Sequence, residues 1–388
     1  MTYLDNAATG FPKPLEVYSA LSKAAYELGG NPSRSGHIMS SQSGAAVYEC
    51  REAVAELFSA KPENVVFTLN ATHALNTAIK GIAKEKSHFI ISNMEHNAVL
   101  RPIVKLCDEK GCSYDVVDVL NRKSFEILSD IRQKVRSNTC AVVMNHASNL
   151  CSSRIPVSHI GGICESLKIP FILDASQSAG HADISLSRDK INFLCAPAHK
   201  GLYGIMGTGF LISDGKYSLS TLTEGGSGFN STDPHMPSAL PEHLEAGTLP
   251  VPAIAALMAG CKFISSIGIN EIARHDEMLF SDLYYKLSEI KGIKIYRPDL
   301  HGACFLFNIN NVRSDTVGEF LSDSGICVRS GFHCAPLAHT SLKTGEYGAV
   351  RVSFGIFNTK EDNDALYFAI KDMMRDNAFL KGNAYEKE

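Results

Sequence analysis

The chain is predicted to be an α/β protein, and three features of its 388 residues point that way. Short apolar runs of strand length alternate with helical patterns from about residue 45 to 215. Those runs are nearly continuous rather than alternating, as expected of strands buried on both faces of a mostly parallel sheet. A stretch rich in Gly, Pro and Ser then divides this region from long helices and a smaller mixed unit.

In chain order, strands are expected at 64–69, 88–92, 140–145, 170–175, 192–197 and 207–213, each rich in β-branched or aromatic residues. Helices are expected over 41–60, 72–86, 97–110, 126–136 and 156–168. Residues 223–250, TEGGSGFNSTDPHMPSALPEHLEAGTLP, form a long loop, and loops of that length in compact proteins are usually functional or mobile. One or two helices over 252–291 lead into a small α+β unit at 292–388. The expected division is a large unit over 15–250 and a smaller one made of 1–14 with 251–388. A cleft between two such units is a common cofactor site.

A net charge of −4 with scattered basic residues gives no reason to expect nucleic acid or an anionic membrane. The start, MTYLDNAATGFPKP, has neither a basic leader nor an apolar stretch. The run LPVPAIAALMAGC carries two prolines and is too short to span a bilayer, so the expected location is cytoplasmic. Eleven cysteines without a CxxC pair lack the ligand spacing of structural zinc, and no metal is expected. Most are read as small buried hydrophobes in a reducing compartment.

Asp174 ends the apolar run PFILD, beyond which ligands sit in open α/β sheets. It is either a turn cap or an acid that holds a pyridine nitrogen protonated, with Gln177 as a donor to a phenolate oxygen. Lys200, in APAHKGLYG, is either a solvated charge or a buried amine of lowered pKa, able to form an imine. An acid and an amine of these kinds are what a protein contributes to pyridoxal phosphate chemistry. Thr72 opens the helix of VVFTLNATHALNTAIKGI, as a plain cap or as part of an anion site on the free N–H groups of 71–74. His96 either stacks on a flat ring or is a satisfied turn histidine. Cys334, in RSGFHCAP, is either inert or a nucleophile whose thiolate is favoured by His333 and Arg329, on a glycine-flanked loop that lets the sulfur travel. Arg351, in GAVRVSFGIFNT, is read as capturing a carboxylate or as half of a structural ion pair.

Together these residues resemble the class V branch of fold type I pyridoxal phosphate enzymes, and within it the cysteine desulfurase and selenocysteine lyase group. The likeness runs from YLDNAATG through GNPSRSGH, the Asp-x-x-Gln and His-Lys arrangement, LEAGT and RSGFHCA to RVSFGIFNT. RSGFHCA is similar to the short cysteine loop of the second desulfurase subgroup. The resemblance implies a large unit with a mostly parallel seven-stranded sheet, a smaller C-terminal α+β unit, and a homodimer. It implies that Lys200 bonds covalently to the cofactor's aldehyde, Asp174 pairs with its ring nitrogen, Gln177 bonds its hydroxyl and His96 stacks on the ring. Ala71, Thr72 and His199 hold the phosphate, joined by Thr248 of the other subunit. Asn149 and Arg351, with Arg329, take the substrate carboxylate, Asn149 also lying against the cofactor, and Cys334 accepts sulfur from L-cysteine as a persulfide.

Three positions depart from the family pattern. Pro197 stands where a hydroxyl residue is usual, Phe332 replaces a histidine, and Pro250 follows AGTL in place of an asparagine. L-selenocysteine is the rival substrate, and a class V transaminase or lyase with an incidental Cys334 is the rival chemistry. A sulfur-acceptor protein, such as an iron–sulfur scaffold, is the implied partner.

Overall fold

The computed structural model describes every residue except 33–35, 297–301, 377–379, 381–382 and 384–388. The chain opens with β1 (Thr2–Tyr3), α1 (Leu15–Glu27) and α2 (Ile38–Leu57). Strands and helices then alternate through β2 (Val65–Thr68), α3 (Ala71–Ile82), β3 (His88–Ser92), α4 (Asn97–Lys110), β4 (Ser113–Val117) and α5 (Ser124–Lys134). The series continues with β5 (Thr139–Asn145), α6 (Val157–Leu167), β6 (Phe171–Asp174), β7 (Phe193–Pro197) and β8 (Gly209–Ser213). These seven strands lie in the order β2-β8-β7-β6-β5-β3-β4, with β8 antiparallel to both neighbours and the rest parallel.

All six expected strands and five expected helices are present, with ends shifted by up to four residues. The unexpected strand is β4. It sits at the sheet edge with Ser113, Tyr114 and Asp115 half-buried, so it lacks the apolar run that marks the inner strands. Those inner strands are covered on both sides. Ile90, Val142, Phe171 and Leu173 enter one core, while Phe89, Ile91, Val143 and Ile172 enter the other. Each such fully buried side chain contributes about 1.5–3 kcal/mol over an exposed one.

Residues 223–250 contain neither helix nor strand. Beyond them α7 (Val251–Ile267) and α8 (Ile269–Ser288) meet at 80°, the bend falling at Gly268, whose φ of +89° suits a residue without Cβ. α7 packs on α1 and α2 and buries Val251, Ile254, Leu257 and Cys261 in a core of the large sheet. No single helix among the described residues is long and apolar enough to cross a membrane.

The C-terminal unit adds β9 (Ile293–Tyr296), β10 (Cys304–Ile309), α9 (Ser314–Asp323), β11 (Ile326–Cys327) and β12 (Arg329–Gly331). It ends with α10 (Pro336–Leu342), β13 (Ala349–Ser353) and α11 (Lys360–Arg375). A four-stranded antiparallel sheet, β12-β13-β10-β9, carries its own core with α8, α9 and α11. The N-terminal arm belongs to this unit by pairing: β1 lies parallel to β11, and Leu4 is buried in the same core.

Candidate active site

Strands β4 and β5 flank β3 on opposite sides, so the chain reverses its winding there and leaves a crevice at the carboxyl ends. A cavity opens in that crevice. The turn after β2 brings Asn70, Ala71 and Thr72 to its wall, and the turn after β3 brings His96. Asn149 arrives after β5, Asp174 and Gln177 at the end of β6, and His199 and Lys200 after β7. Every cofactor-side residue expected from the sequence is therefore on one wall or another, except Thr248. Its hydroxyl accepts from Asn31 Nδ2 at 3.2 Å, in a surface hollow beside Leu69 and His73 that is separate from its own chain's cavity.

Asp174 is 4% exposed, and its Oδ1 accepts from the backbone N–H and the hydroxyl of Ser176. Oδ2 makes no hydrogen bond, and neither does Lys200 Nζ, among the described residues. Burial lowers the Lys200 ammonium to about 8; Asp174 opposes this, and Arg351 and Arg329 reinforce it. His96 caps α4 by accepting the Ala98 N–H on Nδ1 at 3.0 Å, which leaves its proton on Nε2. Burial pushes its pKa down to about 4, so the ring is neutral at physiological pH.

At the other end of the cavity, Asn70 caps α3 by accepting from His73 N–H at 2.9 Å. The N–H groups of Ala71 and Thr72 follow it in the first helical turn, where no intrahelical acceptor exists. His199 Nδ1 is buried without a partner, and burial lowers this imidazole to about 4. Pro197 also lines the cavity and offers neither hydroxyl nor N–H. Gly209 permits the close approach of β8 beneath this turn: a Cβ there would lie 2.8 Å from the Asn70 backbone carbon. The carbonyl of His199 accepts from Gly10 N–H at 2.9 Å, Thr9 Oγ1 at 3.0 Å and Lys13 Nζ at 2.7 Å. The N-terminal arm thus grips the residue next to Lys200. Sequence reasoning grouped that arm with the smaller unit and did not foresee its hold on His199.

On the opposite side, Arg351 is 1% exposed and does form an ion pair, Nη2 lying 2.6 Å from Asp5 Oδ1. Nη1 donates to the Asn149 carbonyl at 3.1 Å, while Nε has no partner. Asn149 donates through Nδ2 to the His333 carbonyl at 2.9 Å, which fixes the amide orientation, and its buried Oδ1 is unpartnered. Asp5 was not foreseen. Its partner lies far along the chain, and no local pattern marks it.

Cys334 is the one exposed cysteine of the eleven, all of which are free. Its Sγ lies 3.9 Å from Arg329 Nη2. The backbone of the glycine-flanked loop is tied at two points: Cys334 O accepts from Asn97 N–H at 2.7 Å, and His333 O accepts from Asn149 Nδ2. These bonds hold both residues in the left-handed region, at φ +49° for His333 and +57° for Cys334, a conformation costing roughly 1–2 kcal/mol per residue. Contrary to expectation, His333 does not favour the thiolate. It is 3% exposed, burial pushes its pKa down to about 2, and its Nε2 bonds the Arg329 carbonyl at 3.1 Å. Arg329 is the cation beside the sulfur. Among the described residues, no group of three His, Cys, Asp or Glu side chains is placed to hold a metal.

A chain with this site also has recognisable relatives. The family model for Aminotransferase class-V matches residues 2–366. A probable cysteine desulfurase of Methanothermobacter thermautotrophicus is 32% identical over 370 residues, covering 93% of this chain and 91% of that protein. Another, from Pyrococcus abyssi, is 28% identical over 390 residues, covering 96% and 94%. The apo structure of a cysteine desulfurase from Thermococcus onnurineus NA1 superposes with a TM-score of 0.88 at 27% identity, over 96% of this chain and 94% of that one. With that match spanning both sheets and every wall of the cavity, the chain belongs to the class V aminotransferase family.

Proposed function

We propose that the chain is a pyridoxal 5′-phosphate-dependent cysteine desulfurase, which converts L-cysteine to L-alanine and receives the sulfur on Cys334 as a persulfide. One observation carries this reading. An unbonded lysine amine and an unbonded carboxylate oxygen share a cavity whose walls also anchor the one exposed cysteine.

The residues present fit that cofactor. Asp174 Oδ2 is free to pair with a protonated ring nitrogen, and the flat, neutral His96 suits a ring face. The first turn of α3 and the orphaned His199 Nδ1 suit a phosphate, with Thr248 of a second copy completing a homodimeric site. Gln177 Nε2 donates to the Ala7 carbonyl at 3.0 Å and keeps a second hydrogen for a phenolate oxygen. When bound, pyridoxal phosphate accepts the electron pair left as the α-proton departs.

The chain's own residues do the rest. With its pKa near 8, Lys200 is neutral in roughly one tenth of molecules at pH 7, enough to take the α-proton. Arg351 Nε, Arg329 and the remaining Asn149 amide hydrogen orient the substrate carboxylate. The Arg329 guanidinium also lies beside the Cys334 sulfur, which attacks the substrate sulfur as the thiolate. An S–S bond forms as the Cβ–S bond breaks, and protonation of Cβ completes the methyl group of alanine. The exposed persulfide can then be passed to an acceptor protein. Eleven free cysteines fit a reducing cytoplasm.

The purified protein with the cofactor should release alanine and sulfide in equal amounts from L-cysteine in the presence of a thiol reductant. Borohydride reduction should attach the cofactor to Lys200. A label at any other lysine defeats the assignment.

A further inference from the structure

Behind Cys334 lies a row of buried polar groups with no direct part in the mechanism above: His333, His339 and Thr344, exposed by 3%, 3% and 6%. His333 Nε2 lies 3.1 Å from the Arg329 carbonyl, His333 Nδ1 lies 3.2 Å from His339 Nε2, and His339 Nδ1 lies 2.8 Å from Thr344 Oγ1. The two imidazoles are nearly parallel, 8° apart, and Phe332 sits edge-on against His339.

Elementary hydrogen-bond rules set the direction of every bond in this row. A carbonyl only accepts, so His333 Nε2 must carry a proton. Both rings are buried and neutral, so His333 Nδ1 is bare and accepts from His339 Nε2–H. His339 Nδ1 is then bare in turn, and the Thr344 hydroxyl donates to it. The row therefore runs one way, from Thr344 to the backbone of Arg329. It ends on the residue whose guanidinium lies beside the Cys334 sulfur. His339 also opens its own tether, since its N–H bonds the Ala335 carbonyl at 3.1 Å, immediately after Cys334.

We propose that His339 is a positioning residue for the sulfur-transfer step: by donating to His333 it locks the Arg329 carbonyl, and so holds the Arg329 guanidinium against Cys334. This rests on the desulfurase reading and names a residue of that site which touches neither substrate nor cofactor. Physically, a single wrong tautomer anywhere in the row would set two lone pairs or two N–H groups against each other, so the row tolerates one arrangement only.

The test reads the thiol directly. Alkylation of Cys334 by iodoacetamide at pH 7, followed by mass spectrometry of its peptide, needs no turnover and can be run with or without the cofactor. His339→Met should slow it about tenfold, because the Arg329 guanidinium is then no longer held against the sulfur. His339→Gln keeps a donor where Nε2 stands and should restore most of the rate. His339→Asn, whose amide reaches only the Thr344 side, should not. Unchanged alkylation in His339→Met overturns the proposal, as does a His339→Gln variant as slow as His339→Met, since packing alone would then explain both. Should His339→Met fail to fold, Thr344→Val keeps the shape without the donor: a rate about threefold lower supports the row, and the wild-type rate overturns it. Sulfide release that survives Cys334→Ala would instead overturn the reading of Cys334 as sulfur acceptor, leaving the alkylation result to stand.

Discussion

At the carboxyl ends of β6 and β7, Asp174 and Lys200 leave their functional atoms unbonded, whereas around Cys334 the backbone carbonyls of residues 332 to 335 and both imidazoles are already paired. The first region is held from beneath by two apolar cores, so it stays in place with empty valences facing the cavity. The second sits on a short loop between β12 and α10 with little core of its own, and hydrogen bonds from α4, Asn149 and His339 take over that task. A site built on buried strands can wait for a ligand to satisfy it. A site built on a loop must be satisfied beforehand, or it does not hold its shape.

Substitutions should separate the two regions. Lys200→Ala removes the covalent anchor, and both turnover and visible cofactor absorbance should vanish; residual turnover above about one thousandth would remove Lys200 from the chemistry. Cys334→Ala should lose sulfide release by a similar factor while the absorbance stays intact, and parallel loss of both would mean the regions are not independent. Asp5→Asn leaves the Arg351 guanidinium buried without its counter-charge, at a cost of about 3 kcal/mol read as a lower urea midpoint. An unchanged midpoint would show that Asp5 has no structural role.

The cradle also makes a prediction in pH. A neutral amine is needed to bond the cofactor's aldehyde, and burial has lowered Lys200 to about 8. Uptake of pyridoxal phosphate by the apo chain should rise about tenfold per pH unit up to pH 8 and level off above it. A rise that continues to pH 10 would place the amine in solvent. The smallest effect is expected from Asn70→Ala, which removes the cap of α3: about 1 kcal/mol of stability, with modestly weaker cofactor binding in equilibrium titration. Stability lost without any change in cofactor affinity would separate this cap from the phosphate end of the cavity.

Legibility followed the same divide. The inner strands announced themselves because both their faces are buried, and Asp174, Lys200, His96 and Thr72 fall at their ends, where an α/β sheet places its ligands. Strand β4 escaped because an edge strand is half solvated and loses the apolar signature. The cysteine loop was legible as a motif but not as a geometry. Help from His333 was expected from neighbouring residue types, but its ring is buried and already bonded to Arg329 and His339, while Asn97 and Asn149, far away in the chain, tie the loop backbone.

Alternation of apolar strands with helices, and the placing of an acid and an amine at strand ends, follow from local pattern and from the geometry common to all such sheets. Those the amino-acid order determined by itself. The Asp5–Arg351 pair, the grip of the N-terminal arm on His199, the tether of Cys334 to Asn97 and the direction of the histidine row were decided only in three dimensions. The first three join groups far apart in the chain, and the last depends on burial that fixes which ring nitrogen keeps its proton, so no short-range propensity encodes them.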